Sequence, residues 1–252
     1  MGEFTGKIAI VTGGTRGIGA AIAAKLLAEG ASVVVTGRKQ AVVEAAAAEL
    51  DPSGERCVGI AAHNGEVASL EALLQATLAR FGRVDLLVNN AATNPHFGPI
   101  LTCDEGAWDK IFGVDLKGYF FLSRMVADHL IERKAAGSIV NISSIVGLRP
   151  DFAIGVYGIA KAGVVALTKT AAQEWGTFGI RVNAVAPGVI PTRLSQMIVE
   201  TPEIHDEVVR KTPLGRLGTV DEVAEAVAWL LSERAGYTTG HVLTVDGGTV
   251  LY

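Results

Sequence analysis

Lys7-Ile8-Ala9-Ile10-Val11-Thr12-Gly13-Gly14-Thr15-Arg16-Gly17-Ile18-Gly19 decides the fold. Its first half is a short apolar run, the form of a strand buried on both faces. Its second half is a glycine-rich turn. Apolar residues then recur at helical spacing across 18–27, at Ile22, Leu26 and Leu27, until Glu29-Gly30 supplies a stop. An apolar run at 32–36, an alanine-rich helix over about Gln40–Leu50 and a third apolar run at 57–62 follow. That order, βαβαβ, predicts half of a doubly wound parallel sheet.

The rest of the chain repeats the logic. Helix, strand and a long helix are predicted at 67–81, 84–89 and 105–133, then a strand at 137–144, a helix to about Trp175 and a strand at 180–186 that Pro187-Gly188 breaks. Residues 189–218 differ, because Pro191, Pro202 and Pro213 stand among polar residues with Leu194, Met197 and Ile198 between them. Such an irregular segment is either a binding lid or a solvated connector. A helix at 220–231 and a strand at 241–245 follow. The whole of 1–252 reads as one α/β domain, a Rossmann-like doubly wound parallel sheet with helices on both faces.

Composition agrees with that reading. The 252 residues are 49% hydrophobic with 30 glycines, suited to a buried sheet with many tight βα turns. A net charge of -4 and no basic stripe disfavour nucleic acid as a partner. Cys57 and Cys103 have no metal-ligand spacing with any histidine and are expected as core thiols, with no metal. No apolar run approaches the roughly 18 residues of a membrane span, and the first residues lack a signal peptide's regions, so the expectation is a cytoplasmic protein acting on small molecules.

The glycine turn has a chemical reading. Glycines let the backbone approach a pyrophosphate, and the N-terminus of the following helix offers unpaired N–H groups and positive dipole. The spacing GxxxGxG departs from the general GxGxxG fingerprint. After the second strand come Thr36-Gly37-Arg38. A carboxylate there would bind a ribose 2′-hydroxyl, whereas an arginine suits a 2′-phosphate. Arg38, aided by Arg16, therefore points to NADP(H) over NAD(H), against the alternative of an ordinary surface arginine.

A second constellation lies at Tyr157-Gly158-Ile159-Ala160-Lys161, with Ser144 thirteen positions before its tyrosine. Residues four apart on a helix share a face. An ammonium beside a phenol favours phenolate, so Lys161 is expected to lower the Tyr157 pKa and make the pair a proton donor and acceptor.

Together these motifs resemble those of the short-chain dehydrogenase/reductase family, single-domain type, over essentially the whole chain. The matching stretches are TGGTRGIG, Asn89-Asn90-Ala91, Ser144 after Ile142-Ser143, YGIAK, Pro187-Gly188 with Thr192, and Val245-Asp246-Gly247-Gly248. The resemblance implies Tyr157 as general acid, Lys161 as holder of the nicotinamide ribose and Ser144 as hydrogen-bond partner of the substrate oxygen. Ser143 is the competing serine; strand alternation and the spacing to Tyr157 favour Ser144. Gly13, Thr15, Arg16, Gly17, Ile18, Gly19, Arg38, Asn90, Ala91, Tyr157, Lys161, Pro187 and Gly188 are implied around the cofactor. Val189, Ile190 and Thr192 would meet its carboxamide and phosphates, and Asp246 would serve the fold. His63-Asn64 stand where the family has an acidic residue and its neighbour near adenine; Asn64 either takes that contact or serves a turn. The family's asparagine in the long helix is replaced by Asp115, which the resemblance makes the fourth member of the catalytic set with Ser144, Tyr157 and Lys161, a departure that brings a charge to Lys161.

The implied activity is hydride transfer between nicotinamide and a ketone or secondary alcohol, a carbonyl reductase. Apolar walls over 92–97, Val146 and 194–198 favour an uncharged ketone or keto ester, with His96 either near substrate or at the surface. A 3-ketoacyl-acyl-carrier-protein reductase is a close variant. There the family uses rim arginines, where this chain has Phe178 and Ala135, with Arg133 and Lys134 nearby. A non-catalytic NADP(H) sensor is the alternative from another class. The family commonly forms homotetramers through its long helices; Phe112, Phe120 and Phe121 would either join that contact or face their own sheet.

Overall fold

A computed structural model describes residues 2–251. Seven parallel strands form one sheet in the order β3-β2-β1-β4-β5-β6-β7: β1 (Ile8–Val11), β2 (Ser32–Gly37), β3 (Cys57–Ala61), β4 (Leu86–Asn89), β5 (Gly137–Ile142), β6 (Ile180–Pro187) and β7 (Val242–Val245). Every pairing is parallel, with Ala9 beside Val33 and Leu86, and Asn89 beside Asn141. The first linking helices are α1 (Gly17–Ala28), α2 (Gln40–Leu50) and α3 (Val67–Phe81). Next come α4 (Glu105–Phe112), α5 (Gly118–Glu132) and α6 (Gly155–Trp175). After β6 stand α7 (Gln196–Glu200), α8 (Pro202–Lys211) and α9 (Val220–Leu231).

Strand alternation divides the core in two. Ala9, Val11, Val33, Val35, Val88 and Val140 pack under α1 and α9, with Ile22, Leu26 and Val227. Ile10, Val34, Leu87, Ile139 and Val182 face the other way, onto α3, α5 and the end of α6. Each face is sealed by fully buried aliphatic side chains, so Leu26→Ala would cost about 2–5 kcal/mol. Local signals set the helix ends. Thr219 and Glu222 form a capping box at α9, and Gly82, at φ 76°, ends α3 in the left-handed region. No helix among the described residues is long and apolar enough to cross a membrane.

Three expectations are corrected. The helix predicted over 105–133 is broken by a π turn, Gly113–Lys117, between α4 and α5. An i,i+5 turn carries one extra residue, and here it turns Asp115 inward to zero exposure. The segment 189–218 is not irregular throughout: α7 and α8 lie in it, though neither has a buried residue. Helix α8 is polar apart from Ile204, Val208 and Val209, and its apolar side gains only half-burial, so hydropathy alone did not reveal it. Finally, β5 ends at Ile142, which frees Ser144 from the ladder.

Order reverses between β1 and β4, since β1 pairs β2 on one side and β4 on the other. The crevice beyond the carboxyl ends of these strands is where open α/β sheets bind ligands.

Candidate active site

The glycine turn sits in that crevice and is too crowded for other residues. A Cβ at Gly13 would stand 2.9 Å from Ala91 Cα, and one at Gly19 2.3 Å from the Gly13 carbonyl oxygen. Gly13 and Gly17 also have φ of +64° and +55°, where side chains are strained. Asn90 staples the turn: its Nδ2 donates to Thr12 O at 2.9 Å and Gly13 O at 3.2 Å. The Thr12 hydroxyl in turn accepts from Asn90 N–H at 2.9 Å and Ala91 N–H at 3.0 Å. Thr12 was not singled out from sequence; its signal was a hydroxyl at a strand end beside the glycines.

Helix α1 starts without a side-chain cap and has no acidic residue in its first turn. Its first N–H groups are therefore open to an anion. Thr15 lies against Gly37 at the end of β2, and the Gly14 N–H donates to Thr36 O at 3.1 Å. Arg16 and Arg38 are exposed, and neither has a carboxylate partner among the described residues. A dinucleotide's pyrophosphate and a 2′-phosphate both suit this donor set: close backbone, an open helix N-terminus and two unpaired guanidiniums.

Across the crevice, Thr192 packs its methyl 3.3 Å from the position of a Cβ on Gly17. Ser195, also missed from sequence, holds this loop by donating to the Thr192 carbonyl at 3.1 Å and accepting from the Thr192 N–H at 3.0 Å. Gly188 leaves β6 with its N–H on Val245 O at 2.9 Å. The Ile190 side chain is 4% exposed and lies in the core against Gly218. Only its backbone is left to meet a ligand. Asp246 caps the chain's end by accepting from Gly248 and Val250 N–H at 2.9 and 2.8 Å.

The catalytic candidates gather where β5 meets α6. Ser143 is buried and its hydroxyl donates to the Lys161 carbonyl at 2.9 Å. Ser144, on the opposite side, is half-buried and accepts only a long 3.4 Å bond from Val146 N–H. The short turn Ile145–Gly147 that carries Ser144 onward packs directly on α6. A Cβ at Gly147 would lie 2.7 Å from the Lys161 carbonyl carbon, and one at Gly158 2.9 Å from Val146 O. These contacts hold Ser144 next to the turn of α6 that bears Tyr157.

Lys161 has no exposed surface. Its Nζ donates to Ile142 O at 2.9 Å and to the Tyr119 hydroxyl at 3.3 Å, lies 3.5 Å from Asp115 Oδ2 and stands 5.4 Å from the Tyr157 ring centroid. The other Asp115 oxygen accepts from Thr93 N–H at 2.9 Å. Burial pushes the Asp115 carboxyl up to about 6, against the opposing pull of Lys161 and the Thr93 N–H. Burial lowers the Lys161 pKa, and the Asp115 charge opposes that.

Tyr157 behaves contrary to the sequence expectation. Burial raises its pKa, and the Asp115 charge raises it further. The lysine that was to favour phenolate is itself paired with a carboxylate, which offsets part of its pull on the phenol. Burial and the Asp115 charge outweigh the nearby ammonium, so Tyr157 is held as a phenol, the form that donates a proton.

His63 and Asn64 lie after β3. His63 Nδ1 accepts from Gly65 N–H at 3.2 Å. Asn64 is 7% exposed, donates its amide to Val114 O at 2.6 Å, and its carbonyl would sit 1.9 Å from a Cβ on Gly118. Its amide clamps the π turn that presents Asp115, and its Oδ1 has no partner among the described residues.

Two further expectations are adjusted. Arg133 donates to Val84 O at 2.9 Å and pairs with Asp85 at the amino ends of the strands, opposite Tyr157, so it does not border this chain's own site. Phe112 stacks on Trp108 with centroids 4.2 Å apart, and Phe121 packs on the core, whereas Phe120 is 41% exposed. Around the mouth, Phe97, Ile100, Leu101 and Phe152 are exposed on two loops joined by a 2.8 Å bond from Gly98 N–H to Ala153 O.

Comparisons with known proteins agree with this geometry. A family profile described as enoyl-(acyl carrier protein) reductase matches residues 13–250. The chain is 39% identical to tropinone reductase-like 3 of Erythroxylum coca over 98% of its own length and 94% of the relative's. It is 40% identical to the short-chain dehydrogenase/reductase SDRA of Arabidopsis thaliana, covering 98% and 95%. Among solved structures, a gluconate 5-dehydrogenase from Burkholderia cenocepacia, in complex with NADP and tartrate, superposes with a TM-score of 0.94 at 32% identity, covering 98% of this chain and 96% of that one.

Proposed function

The chain belongs to the short-chain dehydrogenase/reductase family, and on that premise we propose that it is an NADP(H)-dependent oxidoreductase of ketones and secondary alcohols. One observation carries the reading: a buried Lys161 ammonium 5.4 Å from the Tyr157 ring, with the Ser144 turn packed onto the same helix turn at the mouth of the glycine cradle. When bound, the nicotinamide supplies or accepts the hydride. Gly13, Thr15, Gly17, Ile18 and Gly19 would hold its pyrophosphate, with Asn90, Ala91, Pro187, Gly188 and the Ile190 backbone steadying the crevice around it.

The chain's own residues handle the proton. Tyr157, kept protonated by burial, donates to the carbonyl oxygen as negative charge develops there. Ser144 directs its hydroxyl at the same oxygen and stabilises that charge. Lys161 sets the electrostatics beneath the phenol, and Asp115 keeps the lysine charged against burial. In alcohol oxidation the same groups run in reverse, with phenolate as base.

Preference for NADP(H) over NAD(H) rests on Arg38, just after β2, and Arg16, at the start of α1, both exposed and without a carboxylate partner among the described residues. The NADP in the Burkholderia relative supports it. Apolar Phe97, Ile100, Leu101 and Phe152 at the mouth favour an uncharged ketone or keto ester with an apolar substituent. A homotetramer using the exposed Phe120 face and a cytoplasmic setting, which suits two unpaired thiols, complete the reading.

The test is a panel of ketones and alcohols followed by nicotinamide absorbance with NADPH and NADH. Turnover of ketones with NADPH preferred supports the reading; inactivity on the whole panel overturns it. The matching profile's description favours a second reading, reduction of 3-ketoacyl groups on an acyl carrier protein. An acyl-carrier substrate run beside small ketones separates the two. A sensor would bind NADPH and turn over neither.

A further inference from the structure

Lys161 is surrounded by three oxygens, and their order is not what charge alone dictates. The neutral Ile142 carbonyl is nearest at 2.9 Å, the neutral Tyr119 phenol next at 3.3 Å, and the anionic Asp115 oxygen farthest at 3.5 Å. In a site where Lys161, Tyr119 and Asp115 all have zero exposure, Coulomb attraction is weakly screened and would draw the ammonium onto the carboxylate. Two features oppose that. Thr93 N–H holds the other Asp115 oxygen at 2.9 Å, so the carboxylate cannot advance. Tyr119 donates to Ile142 O at 3.4 Å while accepting from Lys161, closing a ring of ammonium, phenol and carbonyl. Its aromatic face also lies 4.9 Å from Nζ, where a cation is attracted by the ring.

We propose that Tyr119 is a positioning residue for Lys161: its hydroxyl fixes the ammonium against the Ile142 carbonyl and so holds it beneath Tyr157. Ile142 lies two residues before Ser144 on β5, so one carbonyl ties the lysine's position to the strand end that carries the serine. Tyr119 stands four residues after Asp115, which places both on one side of the π turn and first turn of α5. Burial and the Asp115 charge raise the Tyr119 pKa, so it stays a neutral phenol that both donates and accepts. Among the described residues, the titratable groups facing Lys161 are Asp115 from the π turn, Tyr119 from α5 and Tyr157 from its own helix; β5 contributes only a carbonyl. The inference rests on Lys161 serving Tyr157 as read above.

Tyr119→Phe tests it, because the ring and its packing remain and only the hydroxyl goes. Freed from the phenol, the ammonium moves toward Asp115 and away from Tyr157, whose pKa rises. The expected result is kcat lower by about 10-fold with the ketone KM within about 2-fold of the parent. The acidic limb of alcohol oxidation should shift to higher pH, since phenolate then forms later. NADPH, followed by nicotinamide fluorescence without substrate, should bind about 3-fold more weakly, with the thermal midpoint nearly unchanged. An unmoved pH limb together with unchanged NADPH affinity in the folded variant overturns the proposal, whatever happens to kcat. Inactivity of the parent on every ketone defeats the functional reading instead, and the fluorescence arm then decides for Tyr119 alone. If Tyr119→Phe does not fold, Tyr119→Met, which also lacks the hydroxyl, is measured by the same criteria.

Discussion

At the end of β2, Arg38 stands in solvent without a carboxylate partner among the described residues, whereas beneath the end of β5 Lys161 is enclosed by a carbonyl, a phenol and a carboxylate. The first is a cation kept free for a ligand. The second is a cation held by the chain's own oxygens. The difference explains why burial shifts the Asp115, Tyr119, Tyr157 and Lys161 pKa values at the β5 end. Exposed charge attracts and selects a ligand; enclosed charge is tuned by its neighbours and sets proton transfer.

Each side of that comparison can be broken separately. Tyr157→Phe has the largest expected effect, about 10³-fold in kcat from loss of the general acid, with NADPH affinity measured by fluorescence retained. Retention of most activity would mean that the enclosed end is not the proton donor. Arg38→Ala comes next. It should lower kcat/KM with NADPH by about 10- to 100-fold, the worth of a lost charge-assisted pair, and leave NADH nearly unchanged. Equal loss with both cofactors would make Arg38 an ordinary surface group.

Asp115→Asn has the smallest effect on rate, a few-fold near neutral pH, and the clearest effect on pH dependence. Protonation of Asp115 below about pH 6 removes the charge that sustains Lys161, so the parent should lose activity there. The variant should lack that limb, and its alkaline limb should move down because Lys161 loses the neighbour that raised its pKa. Stability follows the same titration. The folded-state pKa of Asp115, about 6, lies above its ordinary 3.8, so the folded chain holds the extra proton between these values. The parent therefore loses stability as pH rises from about 4 to about 6, and the thermal midpoint of Asp115→Asn relative to the parent should climb through that window. A flat difference would show that Asp115 does not titrate as an isolated buried acid.

Much of the fold was legible because its signals are local. Helices α2 and α3 begin and end where helical spacing and flanking residues placed them, and β2 follows an apolar run of β-branched residues. The π turn was not legible, since Gly113-Val114-Asp115-Leu116-Lys117 continues a helical pattern and the groups that hold it, Asn64, Thr93 and Lys161, come from distant parts of the chain. Arg133 was placed by sequence only near the rim arginines of carrier-protein reductases, because nothing in its neighbourhood announces Asp85. Tyr119 had a signal, the i,i+4 step from Asp115, but its two hydrogen-bond partners come from β5 and α6.

The sequence by itself determined the glycine turn, the strand and helix order, the Arg38 position and the Tyr157–Lys161 face, because each depends on spacing along a few consecutive turns. Only the tertiary structure decided the direction of the Tyr157 pKa, the company of Lys161 and the bond from Asn64 to the π turn. Those follow from desolvation and from groups brought together across the sheet, and neither burial nor a distant partner is written in the spacing of neighbouring residues.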